Sequence, residues 1–95
     1  MPLFVLEYRF SEAVAERLAV RPRHRAFLEE LKSRGKLVAA GPWRDDSGAL
    51  LVYDVDDEAE LERLLADYPY VSANVFGERT IREWQPIISG HLEAG

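Results

Sequence analysis

The sequence predicts an α+β fold in which two amphipathic helices cover one face of a four-stranded antiparallel sheet. Three observations carry that prediction. Four runs of strand-forming residues alternate with two runs of helical periodicity, in the order strand, helix, strand, strand, helix, strand. Turn-forming residues punctuate them at Gly35, at Asp45-Asp46-Ser47-Gly48 and at Pro69. A chain of 95 residues with 47% apolar content suffices for one core and is too short for two.

Leu3 to Arg9 reads as the first strand, with Leu3 and Val5 alternating with Phe4, Leu6 and Tyr8. Both faces are nearly apolar, as in a central strand covered on two sides. Ser11 opens a short helical entry over Glu12 to Val20. Pro22 then takes a first-turn position ahead of a helix over Arg23 to Arg34, which Gly35 closes. Lys36 to Trp43 is the second strand, interrupted late by Gly41-Pro42, and the Asp45 to Gly48 turn makes a hairpin with a third strand over Ala49 to Asp54. Asp57 and Glu60 form a capping box, Leu61, Leu64 and Leu65 supply the apolar stripe of the second helix, and that helix ends before Pro69. Phe76 to Trp84 is the last strand. The domain spans residues 1–88, and Ser89 to Gly95 is a tail outside the fold.

This order is the ferredoxin-like βαββαβ pattern. Two helices cover one face of such a sheet, yet the strands carry Phe4, Leu6, Tyr8, Val38, Leu51, Tyr53 and Trp84, a set expected to include both faces. The open face calls for a partner. A second copy, paired sheet to sheet in a homodimer, is the simplest one, and it would help a domain that alone buries only about two thirds of its unfolded surface.

Composition narrows the function. With no cysteine there is neither a disulfide framework nor thiol chemistry. The N-terminal segment lacks a basic region, and no apolar run reaches membrane-spanning length, so a cytoplasmic protein without a membrane partner is expected. A net charge of −5 opposes a phosphate backbone, which excludes nucleic acid as the expected partner, including an RNA-binding sheet of the same topology. Positive charge is nevertheless concentrated between Arg17 and Lys36, so a small anionic ligand near that segment stays open. Gly35, Gly41 and Gly48 separate elements and form no phosphate-binding loop. Two distant histidines, His24 and His91, offer no metal-ligand spacing; no metal and no other cofactor is expected, and His91 reads as a solvated tail residue.

His24 is the residue most able to carry chemistry. It precedes Phe27, Leu28 and Leu31 by three, four and seven residues, which places it on the apolar stripe facing the sheet. Near a helix start, the macrodipole and burial both oppose imidazolium, leaving a neutral ring able to accept a proton. The alternative is a core-edge histidine bonded to backbone. Gly41-Pro42 breaks the second strand, either to admit a pocket wall or to twist the chain into its turn. Arg17 and Arg21 are candidates for binding an anionic group, or else exposed flank residues.

The segment Arg17-Leu18-Ala19-Val20-Arg21-Pro22-Arg23-His24, followed by Leu28, Leu31, Gly35-Lys36-Leu37, Ala40-Gly41-Pro42, Gly48 and Tyr68-Pro69-Tyr70-Val71, resembles the YciI-like family over most of the chain. The resemblance implies a dimeric α+β barrel with its active-site histidine at His24, and chemistry that includes elimination from a hydroxylated chloroaromatic. Family members carry an aspartate directly before the Pro-aromatic pair as the acid partner of the histidine. Here Tyr68 holds that position, so the acid is either displaced to Asp67 or absent. One residue on a helix is about 100° of rotation, and Tyr68, four after Leu64, is the better phased towards the core.

Two functions are therefore carried forward. One is a cofactor-free lyase- or isomerase-type enzyme, with His24 and Asp67 as catalytic candidates and Arg17, Arg21, Gly41, Pro42 and Tyr68 as binding candidates, acting on a small cyclic or aromatic metabolite. The other is a non-catalytic ligand-binding or assembly module with the same fold and dimer.

Overall fold

The computed structural model describes residues 2–72 and 75–88. Its elements are β1 (Leu3–Phe10), α1 (Val14–Ser33), β2 (Leu37–Pro42), β3 (Gly48–Asp54), α2 (Glu58–Ala66), a single turn α3 (Pro69–Ser72) and β4 (Phe76–Trp84). The strands form one sheet in the order β2-β3-β1-β4, and every neighbouring pair is antiparallel. This is the ferredoxin-like arrangement the sequence predicts. The tail from Ser89, with His91, lies outside the described residues.

Register decides which side chains meet the helices. Leu6 stands opposite Leu51 on β3 and Ile81 on β4, while Phe4 stands opposite Tyr53. Phe4, Leu6, Tyr8, Leu51 and Tyr53 form one buried cluster with Leu31 of α1 and with Leu61 and Leu65 of α2, and the partly buried Ile81 packs against it. Leu3 faces Trp84, and Val5 faces Val52. By the strand period of two, these lie on the other face with Leu50. Of the apolar strand residues singled out from sequence, Phe4, Leu6, Tyr8, Leu51 and Tyr53 share the helix face and Trp84 lies on the other, so the set does include both faces. The face without helices draws its apolar character from Leu3, Val5, Leu50, Val52 and Trp84, the last of which is 38% exposed.

The largest departure from the sequence reading is α1. The two expected segments are one continuous helix with Pro22 inside it. Pro22 removes an interior hydrogen bond, at a typical cost of about 3 kcal/mol. The helix survives because Arg17, His24 and Leu31 recur every seven residues as its buried stripe, whereas Pro22 lies on the exposed side. Ser11 Oγ accepts from the Ala13 N–H at 3.2 Å, ahead of the first turn. His24 thus sits mid-helix, and the macrodipole contributes little to its ionisation.

The expected break at Gly41-Pro42 is corrected: both residues stay in the ladder opposite Leu50 and Ala49, and the register shifts earlier, between Leu37 and Ala39, where Val38 is the extra residue. The helix ends follow the sequence. Gly35 takes φ +76° beyond α1, in the left-handed region that glycine enters without penalty. Asp57 Oδ1 accepts from the Glu60 N–H at 2.8 Å to cap α2, and the Glu60 side chain returns to the Asp56 N–H at 2.8 Å. Glu60 also pairs with Lys36 at 2.6 Å, tying α2 to the start of β2.

Candidate functional site

A cleft of about 510 Å³ opens between α1 and the β2 side of the sheet. Its origin is local sequence. α2 and its leucines join the core cluster, but on β2 the helix-face positions opposite Leu51 and Ala49 are Ala40 and Pro42, side chains too small to fill the space under α1. Tyr8, Ala49 and Leu51 line it from the sheet, Leu28 from the helix and Tyr70 from α3.

His24 lines this cleft and is only 3% exposed. Its ring stacks on Tyr70, with centroids 3.7 Å apart and planes 9° from parallel, and meets the edge of Tyr68 at 5.2 Å. Among the described residues neither ring nitrogen has a hydrogen-bond partner. Burial, assisted by the Arg25 charge, lowers its pKa to about 4. At neutral pH the ring is uncharged. Aromatic contacts fix the ring plane and, among the described residues, leave both nitrogens without a hydrogen bond.

Tyr70 is placed by its own turn. Pro69 opens α3 with a preset φ, the Val71 N–H donates to the Tyr68 carbonyl at 3.0 Å, and the Val75 N–H donates to the Tyr70 carbonyl at 2.9 Å. The two tyrosines flanking Pro69 thereby address His24 from two directions.

At the other end of the cleft Arg17 is 6% exposed. Its Nη2 donates to Asp46 Oδ2 at 2.9 Å, and its guanidinium carbon lies 4.1 Å from the centre of the Phe10 ring. Arg17 is therefore a buried residue and not a solvated flank. Asp46 occupies the β2–β3 turn at φ +61°. The hydrogen bond from Arg17, with the charges of Arg17, Arg21 and Arg25, holds the Asp46 carboxyl below the usual carboxylate range.

Of the residues singled out from sequence, His24, Arg17, Arg21, Gly41 and Pro42 come together around the cleft. Asp67 and Tyr68 do not line it. Asp67 is exposed as the C-cap of α2 and borders a separate depression with Arg23, Phe27 and Pro69. Tyr68 is 1% exposed and packs behind His24, between Phe27 and Phe76, its hydroxyl without a partner among the described residues. Burial raises the pKa of that hydroxyl further. Tyr8, Tyr70, Arg25 and Asp46 line the cleft without having been singled out. The spacing of four from Arg17 to Arg21 to Arg25 is a legible helical ridge. Asp46 reads from sequence only as a turn residue, because its partner lies 29 positions away.

Among the described residues no group of three metal-ligating side chains gathers, and no helix is long and apolar enough to cross a membrane. Among curated proteins no relative matches this chain. Solved structures share its fold. A 5-chloro-2-hydroxyhydroquinone dehydrochlorinase (TftG) from Burkholderia phenoliruptrix AC1100, in complex with 2,5-dihydroxybenzoquinone, matches with a TM-score of 0.76 at 22% identity, covering 87% of this chain and 93% of that one. Protein Atu4242 from Agrobacterium tumefaciens matches with a TM-score of 0.59 at 15% identity, over 90% and 93% of the two chains. A mutant of SnoaB, a cofactor-independent oxygenase from Streptomyces nogalater, matches with a TM-score of 0.51 at 18% identity, over 93% and 94%. The family model of the YCII-related domain matches residues 1–85, spanning α1, α2, α3, all four strands and the whole cleft, and the chain belongs to that family.

Proposed function

We propose that this protein is an acid/base enzyme in which His24 removes a proton from a small cyclic or aromatic metabolite held in the cleft under α1. The observation that carries the reading is a buried, uncharged imidazole, both nitrogens unpartnered among the described residues, lining a cleft large enough for a single ring. An O–H or C–H proton of the substrate passes to a ring nitrogen as the released electron pair forms a new double bond and expels an anionic leaving group. The imidazolium then returns its proton to solvent. Burial makes that imidazolium short-lived, so the base resets between turnovers. The fold shared with a dehydrochlorinase of a hydroxyhydroquinone supports an elimination of this kind. None of this chain's residues needs a cofactor for such a step.

The test is halide release from chlorinated hydroxyhydroquinones, compared between wild type and His24→Gln. Release by the wild type and its loss in a folded variant are expected. Equal release by both would refute the role of His24. A second reading, a binding module without catalysis, is favoured by one feature: among the described residues no carboxylate is hydrogen-bonded to His24. Saturable binding of quinols without turnover would select it.

The same reading includes a homodimer through the helix-free face of the sheet, supported by Leu3, Val5, Leu50, Val52 and Trp84 on one side. Light scattering should give twice the chain mass at micromolar concentration, and Val5→Glu should return the monomer. A monomeric wild type would refute the pairing.

A further inference from the structure

We infer that the cleft takes a small planar anion, that Arg17 receives its oxyanion, and that Asp46 is the positioning residue that holds Arg17 for it. This rests on the reading of the cleft as a substrate site and adds the ligand's charge and the point at which it is read.

The first observation is Arg17 itself. A guanidinium has five N–H donors, and among the described residues only Nη2 is engaged, by Asp46; Nε and Nη1 are buried without partners. Buried donors left unmatched are costly, the more so on a charged group. Arg17 is also fixed on both sides, by Asp46 at 2.9 Å and by the Phe10 ring at 4.1 Å. A prepositioned guanidinium with spare donors is a receptor for a planar oxyanion.

The second observation is the balance of charge. The protein carries a net −5, yet the cleft is bordered by Arg17, Arg21, Arg25 and Lys32 against Asp46 and Glu29. Glu29 is paired with Lys32 at 2.8 Å and Asp46 with Arg17, while Arg21 and Arg25 enter no ion pair among the described residues. A cationic cleft in an acidic protein concentrates anions where the rest of the surface repels them. The third observation is shape. Tyr8, Tyr70 and Leu51 border the same space with apolar surface suited to a flat ring. A ring carrying an oxyanion can thus lie against the tyrosines with its charge on Arg17 and its body beside His24.

The test is an NMR titration of the full chain at low salt with benzoate and with benzamide, its neutral counterpart of the same shape, following the His24 ring and the Gly41 amide. Saturable shifts at both positions are expected with benzoate, and binding weaker by about tenfold or more with benzamide. Arg17→Lys keeps the charge and loses the fork, and should weaken benzoate by a similar factor. Asp46→Asn separates positioning from charge, since asparagine tolerates the left-handed backbone there. If Asp46 only adds negative charge, its removal tightens benzoate; if it positions Arg17, benzoate weakens although a repulsive charge has gone. Benzamide binding as tightly as benzoate would overturn the anion site and leave the His24 cleft standing. Tighter benzoate binding by Asp46→Asn would overturn the positioning role. Neither probe shifting His24 would remove the anion site, and quinol turnover would still judge His24 separately.

Discussion

Replacing His24 by leucine should separate chemistry from stability. The imidazole is buried with both nitrogens unpartnered among the described residues, and its pKa is lowered to about 4 from an ordinary value near 6.5. Because the folded-state value lies below the unfolded one, the unfolded chain binds more protons between pH 6.5 and pH 4. Stability from this group is therefore fully present above pH 6.5 and is lost as pH falls towards 4. The difference corresponds to about 3 kcal/mol across that window, with a slope of at most about 1.4 kcal/mol per pH unit. Leucine abolishes this dependence. At pH 7 it also removes two unsatisfied polar atoms, so His24→Leu should be no less stable than wild type and up to about 1–2 kcal/mol more stable. Urea denaturation at pH 7, 6, 5 and 4.5 supplies the comparison. The wild-type curve should fall increasingly below the variant's with acid, the carboxylates being common to both proteins. A histidine kept for structure would give the opposite result: a clear loss at pH 7 and an unchanged pH dependence, or a ring pKa by NMR at or above 6.5.

Tyr68→Phe should be neutral or slightly stabilising, because the hydroxyl it removes is buried without a partner among the described residues; a loss above about 1 kcal/mol in thermal denaturation would show that the hydroxyl is bonded. Asp57→Ala should cost about 1 kcal/mol by removing the oxygen that caps the Glu60 N–H, and an unchanged denaturation midpoint would refute that cap. Gly48→Ala should be severe, at least about 2 kcal/mol, since a Cβ there would drive into the Tyr8 carbonyl oxygen across the ladder; a melting temperature within error of wild type would show that β1 and β3 give way easily.

The architecture is legible in the sequence because each element carries its own local signal. Asp57 and Glu60 mark one helix start, Gly35 one helix end, and alternation with flanking turns marks β1, β3 and β4. Pro22 misleads for a physical reason. Its local rule says a helix begins there, but the buried stripe of Arg17, His24 and Leu31 carries the helix across it. The site is legible only in part. His24 is found from its phase, and Arg17 and Arg21 from the local run of positive charge. Asp46 belongs to a turn whose sequence explains itself without function. Tyr70 is aimed by the α3 turn, and neither composition nor period predicts where that turn points.

The position of the cleft follows from an imbalance between the two halves of the helix face. On the β1–β4 side, Phe76 stacks on Tyr8 at 4.0 Å and Leu61, Leu65 and Val75 complete a closed core. On the β2 side, Ala40 and Pro42 leave that packing unfinished, while α1 brings Arg17 and His24 to the gap. Leucine at Ala40 would add apolar contact and, by packing alone, stabilise the protein. The gap instead keeps a guanidinium and an imidazole buried with unused hydrogen-bonding groups, which packing energetics disfavour and binding requires. Ala40→Leu accordingly should raise the melting temperature and abolish benzoate shifts at His24. A filled gap with ligand binding intact would move the binding site elsewhere on the molecule.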